Sequence, residues 1–414
     1  MNGLQTYILN LIIIITGIGF FCNCSFGADW SFSPSLTLSE MYDSNLIFSS
    51  TPAPGVPMGD FITSLQPVLS ITGETRRTRF EFDTVTTGKK YVENPRFDTI
   101  DTNTYTSLTE SWSPRFSTDA NFRFIHDYTL ESELETSGIV TQMAERYQYN
   151  AGGGVKYALT QTLNLEVNGG YIDTIYTSHP AGLPDYHVYQ GTVMPVWGIT
   201  PRMEIGLSTT FIRQDYPAFS ADINTVTEMF YWKRLLSPTM DLDVSAGYYF
   251  TWTSFVTQVI QYIPPALPVL VTRPGSGSDS GPAAAAHLKK DWSQRFSTTL
   301  LASKTEYDDT YARSFDKISV GFTARYRLSQ LTTVYFSATY DMDNQISQGN
   351  GKINYIDIGP SIEKRISENL TARLRGSYEL ETYSNFSGPG VDVDRYCVWI
   401  ELTYKWPGFW ANHE

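Results

Sequence analysis

The sequence predicts an all-β protein, a transmembrane antiparallel up-and-down β-barrel of about 18 strands, with about 16 as the alternative count. Three observations predict it: a turn motif that recurs along the chain, apolar residues at every second position after each motif, and many aromatic residues without a long apolar segment. A strand with this alternation has one apolar and one polar face. Closing such strands into a barrel pairs every backbone group inside a membrane.

The recurring motif is an apolar residue, Ser or Thr, and then Pro, Gln or Glu, followed by one or two residues before a new alternating run. Its seven copies are Trp112–Phe116, Leu159–Leu163, Ile199–Met203, Leu236–Met240, Trp292–Phe296, Leu328–Thr332 and Ile366–Leu370. Ser, Thr and Pro in this arrangement favour tight turns. The Ser or Thr positions lie 36 to 56 residues apart, which leaves room for an up-strand, a connection and a down-strand.

An eighth, degenerate copy of the motif lies at Gly73–Arg77, so eight turns flank sixteen strands. An entering strand near Trp30–Leu38 and a closing strand near Arg395–Trp406 raise the count to eighteen. An even count returns both chain ends to the side of the short turns, which is periplasmic in such barrels, and the opposite, extracellular loops are longer. The alternation breaks in Tyr186–Trp197 and Ile223–Arg234, where a β-bulge would restore it.

Composition argues against other classes. The mean hydropathy is -0.23, and the mature chain has no run of about 18 apolar residues, which a spanning helix needs. Aromatic residues nevertheless make up 14% of the chain, with 27 Tyr. A soluble β-sandwich is the competing fold, but it has no need for so many long hairpins with alternating polar faces. The net charge of -13 makes nucleic acid a poor partner.

The amino end predicts export. Tyr7–Phe21 is an apolar stretch, and the small residues of Ser25–Ala28 after it suit cleavage before Ala28 or Asp29. We therefore predict a cleaved signal peptide at 1–28 and a barrel domain at 29–414 in a bacterial outer membrane, with a retained anchor as the alternative. Cys397 is the one cysteine left in the mature chain, so no disulfide framework is expected.

Aromatic residues recur where strands approach the short turns: Trp112, Tyr157, Trp197, Trp232, Trp292, Tyr326 and Trp406. Trp and Tyr place a ring in lipid and a polar tip among the headgroups, so we predict an aromatic girdle, with ordinary core aromatics as the alternative. The closing alternation through Trp406 resembles the terminal signature that the barrel assembly machinery recognises, although the chain continues to Glu414. Outer-membrane lipid, lipopolysaccharide and that machinery are the expected partners.

Two segments near the amino end carry a family resemblance, Glu40–Leu46 and Asp60–Thr63 with Pro67–Ser70 after it. The residues that carry it are Glu40, Tyr42, Asp43, Asn45, Asp60, Phe61 and Pro67. They resemble the opening of the outer-membrane β-barrel porins associated with exosortase (PEP-CTERM) and exopolysaccharide loci. The resemblance implies a barrel tied to surface polysaccharide or protein export. From the residues alone, Asp43, Asn45 and Asp60 form either a strand end and turn or a calcium site.

A barrel of about 18 strands is too wide for its own side chains to fill, so we expect an aqueous lumen. Nine charged residues on the polar faces would line it: Asp119, Glu166, Glu204, Asp241 and Asp243 on strands five to eleven, and Arg325, Arg327, Arg373 and Arg375 on strands fourteen to seventeen. Opposite walls would then carry opposite charges, and their field would select solutes. Cross-strand ion pairs that only solvate the lumen are the alternative.

One predicted connection, Ser254–Pro282, is unusually apolar and is not expected to stay in water. It would fold into the lumen as a constriction or plug, dock on a partner, or extend the lipid-facing wall. Catalytic signals are missing: the sequence has no Gly-x-Ser-x-Gly, HExxH or Cys/His metal spacing, and its five His are isolated. We predict no enzyme activity, no metal and no cofactor.

The sequence therefore favours a porin-like channel, either for small hydrophilic solutes or for the export of exopolysaccharide, with polysaccharide or oligosaccharide as a possible cargo. A non-conducting structural or docking barrel in an envelope or polysaccharide-secretion assembly is the alternative. An open lumen would favour the channel. A lumen occluded by Ser254–Pro282 or by residues 39–60 would favour the structural barrel.

Overall fold

The computed structural model describes residues 29–49, 58–128, 144–177, 183–263, 267–308, 314–345, 351–384 and 391–411, and the predicted signal peptide lies outside them. The strands are β1 Asp29–Asp43, β2 Asp60–Glu74, β3 Thr78–Tyr91, β4 Thr99–Ser113, β5 Phe116–Tyr128, β6 Glu145–Ala158, β7 Leu163–Tyr176, β8 Tyr186–Thr200, β9 Met203–Tyr216, β10 Ala221–Ser237, β11 Met240–Ile263, β12 Leu267–Asp291, β13 Phe296–Asp308, β14 Ser314–Arg327, β15 Thr332–Gln345, β16 Lys352–Arg365, β17 Leu370–Ser384, β18 Val391–Lys405 and β19 Phe409–Ala411. Among these residues no helix is long and apolar enough to cross a membrane.

Strands β1 to β18 form one closed antiparallel barrel. Each strand pairs with the next along the chain, and β1 also pairs with β18, from Ser35 opposite Lys405 to Asp43 opposite Cys397. The predicted count of eighteen is confirmed, and closure leaves no open sheet edge in the wall. The short β19 follows Pro407 and pairs with β1 at Trp30–Phe32, beyond the end of β18.

The apolar faces of the strands point outward. In β18, Tyr396 and Ile400 are 50% and 60% exposed, whereas Cys397 beside them is buried. Such a continuous apolar surface is unfavourable in water and favourable against hydrocarbon, while the backbone stays paired within the wall. A closed barrel with an apolar outer band and an even number of strands is the architecture of a bacterial outer-membrane protein, which confirms the predicted location.

All eight short turns are stabilised in the same way. The hydroxyl oxygen of the Ser or Thr accepts a hydrogen bond, 3.1 to 3.4 Å long, from the backbone N–H two residues later, at Thr75, Ser113, Thr160, Thr200, Ser237, Ser293, Ser329 and Ser367. The side chain thereby replaces a backbone partner that the strand ladder no longer supplies. The turns predicted from the motif are confirmed, including the degenerate copy.

The residue after the Ser or Thr decides the kind of turn. Before each of the three prolines the strand register shifts by one residue, next to Ser113, Thr200 and Ser237. Proline has no N–H for the ladder, so a bulge at the strand end is tolerated there. In the copies with Gln or Glu the hydroxyl also accepts from the N–H three residues later, as Ser293 does from Phe296 at 3.1 Å.

The bulges predicted within Tyr186–Trp197 and Ile223–Arg234 are wrong. β10 pairs with β9 from Ala221 to Arg234 without a shift, and β8 keeps its register with β9 as far as Gly198. The ladders on both sides set the register, so Glu228 stays on the exposed outer face. Its cross-strand neighbours there are Thr209 and Tyr248.

The predicted connection Ser254–Pro282 is part of a long hairpin. β11 and β12 pair from Met240 opposite Lys290 to Ile263 opposite Leu267. β10 accompanies β11 only as far as Ser254, and β13 accompanies β12 only as far as Ala284, so the upper part is a two-stranded ribbon. Its many β-branched residues favour strands over an irregular loop. Inward folding of this segment stays a prediction.

Candidate functional site: the lumenal face and the first loop

The nine charged residues predicted to line the pore all lie on the inner face of the wall. Each has sequence neighbours that point outward, as Arg373 and Arg375 flank Leu374, which is 48% exposed. Because β7 and β16 are separated by nine strands in a ring of eighteen, the acidic and basic groups lie on opposite walls. The geometry required for the predicted transverse field is present, and its effect on solutes stays a prediction.

Several of these charges are neutralised by a neighbouring strand. The ion pairs are Glu166 with Lys156 at 2.6 Å, Asp243 with Lys233 at 4.0 Å, and Arg373 with Glu363. In the described part of the chain Asp119, Glu204, Asp241 and Arg327 make no ion pair. The lumen therefore contains two kinds of charge. Some are neutralised in cross-strand ion pairs and only keep the lumen polar, and others have no ion-pair partner and are available to a solute.

Two of the arginines stack on aromatic rings. The guanidinium carbon of Arg325 lies 5.9 Å from the ring centre of Tyr335, and that of Arg375 lies 4.8 Å from the ring centre of Trp399. The strand register aligns Arg325, Tyr335, Ser361, Arg375 and Trp399 across five consecutive strands. We call these five residues the arginine–aromatic row. A stacked guanidinium keeps its N–H edge free for a solute.

The seven predicted girdle residues lie at the short-turn end of the barrel and on its outer side. Trp112 and Trp292 are the most exposed of them, at 59% and 62%. Their indole N–H groups donate to the hydroxyls of Thr118 and Thr298 at 3.0 and 2.9 Å, so the polar edge is satisfied within the protein. Their contact with the membrane interface stays a prediction.

The described part of the first connection, residues 44–49, folds onto the lumenal face, and we call it the first loop. Leu46 is 3% exposed and packs on inward residues of β2 and β3, Ile62 and Tyr91. Phe48 is 8% exposed and packs on inward residues of β16 to β18, namely Tyr355, Tyr383 and Val393. The strand residues on which Leu46 and Phe48 pack point into the barrel. The first loop therefore lies inside the barrel and narrows the lumen at its extracellular end.

Hydrogen bonds hold the first loop against β18. The amide nitrogen of Asn45 donates to the carbonyl oxygens of Asp394 and Ser49, at 3.0 Å each, and its amide oxygen accepts from the N–H of Ser49. The N–H of Ser44 donates to the carbonyl oxygen of Tyr396 at 3.1 Å. These bonds join residues from the two ends of the chain. Because Asn45 is buried, its three bonds specify a single loop position.

Acidic residues complete the structure around the first loop. The Asp60 carboxylate is 2% exposed and accepts from the N–H groups of Phe61, Glu93 and Asn94 at 2.7 to 2.9 Å. Asp43 accepts from the N–H of Asn45 at 2.8 Å. These carboxylates are used as backbone acceptors, which is the strand-end and turn arrangement.

No group of acidic, His or Cys side chains with metal-binding spacing occurs among the residues that the structure describes. The other residues of the family-like motif lie on the outer face. Tyr42 packs on Phe61 with ring centres 5.0 Å apart, Glu40 accepts from the hydroxyl of Thr63 at 2.8 Å, and Pro67 is exposed. The motif therefore divides between the first loop and the lipid-facing wall.

A cavity of about 480 Å³ lies beside the first loop on the lumenal wall of β1 to β3 and β14 to β18. Its lining holds four basic groups against six carboxylates, those of Asp43, Asp341, Asp343, Asp357, Glu379 and Glu381. Sequence reasoning included Arg375 among the pore-lining residues and Asp43 in the family-like motif, but it did not single out Asp341, Asp343 or Glu381. Their alternate-position spacing on β15 and β17 was the available signal.

No protein-family model matches this sequence, and no curated protein matches it either. Among solved structures, OccAB2 of Acinetobacter baumannii is 10% identical over 92% of this chain and 98% of that chain, with a TM-score of 0.46. OccK2 (OpdF) of Pseudomonas aeruginosa in complex with glucuronate is 10% identical over 91% and 98%, with a TM-score of 0.46. The copper transporter OprC is 8% identical over 91% and 81%, with a TM-score of 0.48.

Proposed function

We propose that this barrel is a diffusion channel for small hydrophilic solutes across the outer membrane. The observation that carries the proposal is the arginine–aromatic row, in which Arg325 and Arg375 face the lumen without an ion pair among the described residues. A charge on a lumenal wall needs water or a solute as its partner. A barrel with only a structural role has no use for charges that its own neighbours leave unpaired.

The first loop supports a limit on solute size. Leu46 and Phe48 project from it onto lumenal residues of both neighbouring walls, so the passage at the extracellular end is narrower than the barrel. The cavity of about 480 Å³ beside the loop has the size of a site for a small molecule. A channel with this profile passes monomers or short oligomers of polar compounds.

Reconstitution of residues 29–414 in planar bilayers and liposomes tests the channel. We expect discrete unit conductance steps in salt solution and faster liposome swelling in monosaccharides than in longer oligosaccharides. Strand content by circular dichroism and the shifted gel mobility of an unheated barrel serve as controls for folding. A folded barrel without conductance would show the structural alternative to be correct.

A link to exopolysaccharide export and exosortase loci is a second proposal, supported by the resemblance of Glu40–Leu46 and Asp60–Thr63. Three residues of these segments, Asp43, Asn45 and Asp60, hold the first loop and its surroundings in place. A polymer would pass only if that loop moved. Deletion of the gene in its host should then reduce surface polysaccharide. Normal surface polysaccharide together with slower uptake of small solutes would support diffusion alone.

The proposal includes no catalytic step. The adjacent His126 and Asp127 point to opposite faces and bind different partners, Glu145 at 2.8 Å and Arg146 at 2.8 Å. His187 lies 2.9 Å from Asp173.

The outward apolar face would contact lipid and lipopolysaccharide, and the closing strand β18 would be the segment that the barrel assembly machinery recognises. Insertion assays with purified machinery and a Trp406→Ala variant test that last contact.

A further inference from the structure

Five carboxylates gather on the inner face of three adjacent strands at the extracellular end: Asp341 and Asp343 on β15, Asp357 on β16, and Glu379 and Glu381 on β17. Asp357 lies directly opposite Glu379, and Tyr355 lies opposite both Asp341 and Glu381. Residues that face each other across a sheet are about 5 Å apart at Cβ, and like charges at that distance destabilise the sheet. The cluster therefore needs cations.

The protein supplies only part of the required positive charge. Lys317 lies 3.0 Å from Asp341, and Arg395 lies 2.7 Å from Glu379. Within the described ranges, no basic side chain forms an ion pair with Asp357 or Glu381. Of the other two basic groups of the cavity, Lys89 pairs with Asp101 at 2.9 Å. Arg375 stacks on Trp399 and acts on the Asp357 carboxylate without forming an ion pair with it.

Glu381 is the most informative member of this cluster. The residue is 0% exposed, and its carboxylate is buried at the lining of the cavity. Its polar neighbours are the hydroxyl of Tyr383 and two more carboxylates, Asp343 and Glu379. A buried carboxylate in this position has to be neutralised by a proton or by a cation from solution.

Two features of the cavity favour an organic cation over a metal ion. Tyr355 and Trp399 contribute aromatic surface to the lining, and ring faces attract ammonium groups. The described carboxylates are not spaced to hold a metal ion together. The volume of about 480 Å³ accommodates a molecule with several carbon atoms.

We propose that this cavity binds a small organic cation with one or two primary ammonium groups, such as an alkyl diamine, and that Asp357 and Glu381 are its carboxylate contacts. The proposal rests on the proposed channel and names its solute class. Arg375 lies six residues from Glu381 along β17, about 20 Å for an extended strand, so of the two carboxylate contacts Glu381 is the one away from that positive charge.

Calorimetric titration of the detergent-solubilised protein with 1,5-diaminopentane tests the site without requiring conduction. We expect saturable binding that the uncharged analogue 1,5-pentanediol does not reproduce. The double variant Asp357→Asn with Glu381→Gln should bind the diamine about tenfold or more weakly, because both ionic contacts are lost. A control with the same change in charge, Glu74→Gln with Asp83→Asn, alters residues outside the cavity lining and should bind like the wild type.

Two results would overturn the site: absence of diamine binding, which would mean that protons neutralise the carboxylates, or equal loss of affinity in the control variant. If the double variant does not fold, Asp357→Asn alone serves, since Asp357 is only partly buried, and unchanged affinity in that variant also overturns the site. The channel is judged separately. If the barrel binds the diamine but does not conduct, the diamine site is supported and the channel is refuted. If the barrel conducts but does not bind the diamine, the channel is supported and the diamine site is refuted.

Discussion

The two ends of the barrel are stabilised by contacts of different range. At the periplasmic end each turn is held by a hydroxyl that bonds a backbone N–H two or three residues away, as at Ser293. At the extracellular end the first loop is held by a bond between Asn45 and Asp394, 349 positions apart. Short-range contacts produce the same turn eight times, whereas long-range contacts shape the extracellular end of the lumen, where we propose that solute size is limited.

Removing the apolar contacts of the first loop should change the conductance of the barrel more than any other proposed substitution. Replacing Leu46 and Phe48 with Gly deletes the two side chains that pack on the lumenal walls, so the extracellular end should widen. We expect higher unit conductance and passage of larger sugars in liposome swelling. Wild-type values for both measurements would show that the first loop does not limit the passage.

The Asp60→Ala variant measures how strongly the extracellular end depends on buried acceptors. It leaves the N–H groups of Glu93 and Asn94 without their acceptor, at a cost of about 3 kcal/mol. We expect a lower urea midpoint and faster protease cleavage near the first loop. Asp98→Ala is the matched control, because Asp98 accepts from a single N–H, that of Tyr91, and should lose about 1 kcal/mol.

We expect charges in the half of the barrel near the short turns to control ion selectivity. The first loop at the extracellular end should instead control conductance. Replacing Arg373 and Arg375 with Ala removes positive charge from one lumenal wall, so the reversal potential in a salt gradient should shift towards cation preference. Arg375→Ala alone should shift it more than Arg373→Ala, since Arg373 is already paired with Glu363. If the double variant keeps wild-type selectivity, the transverse field plays no part.

The ribbon of β11 and β12 provides a second extracellular element for comparison. Replacing Gln258–Thr272 with Asn-Gly joins Thr257 and Arg273, which face each other across the ribbon, so the strand register is kept. Because the ribbon's upper part pairs only with itself, we expect a smaller rise in conductance than removal of the first-loop contacts produces. A larger rise would identify the ribbon as the main constriction.

The smallest effect is expected at a single periplasmic turn. Ser293→Ala removes one hydroxyl acceptor from an exposed turn, so the free energy of unfolding should fall by about 1 kcal/mol, with unchanged conductance. Ser329→Ala is an equivalent turn and should behave alike. Different losses at the two sites would show that the turns are not interchangeable units.

The wall of the barrel could be predicted because its signals are local. Strand alternation and the turn motif each depend on a few neighbouring residues, and they placed all nine charged residues on the inner face. The rings under Arg325 and Arg375 were not predicted, since Tyr335 and Trp399 lie on other strands. The ribbon was mistaken for a loop, because apolar content alone does not distinguish a self-paired hairpin from a connection that folds inward.

The sequence by itself determined the barrel, its eighteen strands, the side on which the short turns lie and the inner position of the charged residues. The reason is that a strand in a membrane wall must repeat every two residues and must turn where a hydroxyl or proline permits. Only the tertiary structure decided where Asn45, Leu46 and Phe48 lie and which carboxylates surround Glu381. Those positions depend on pairing between distant strands, and closure of β18 onto β1 brings the two ends of the chain together.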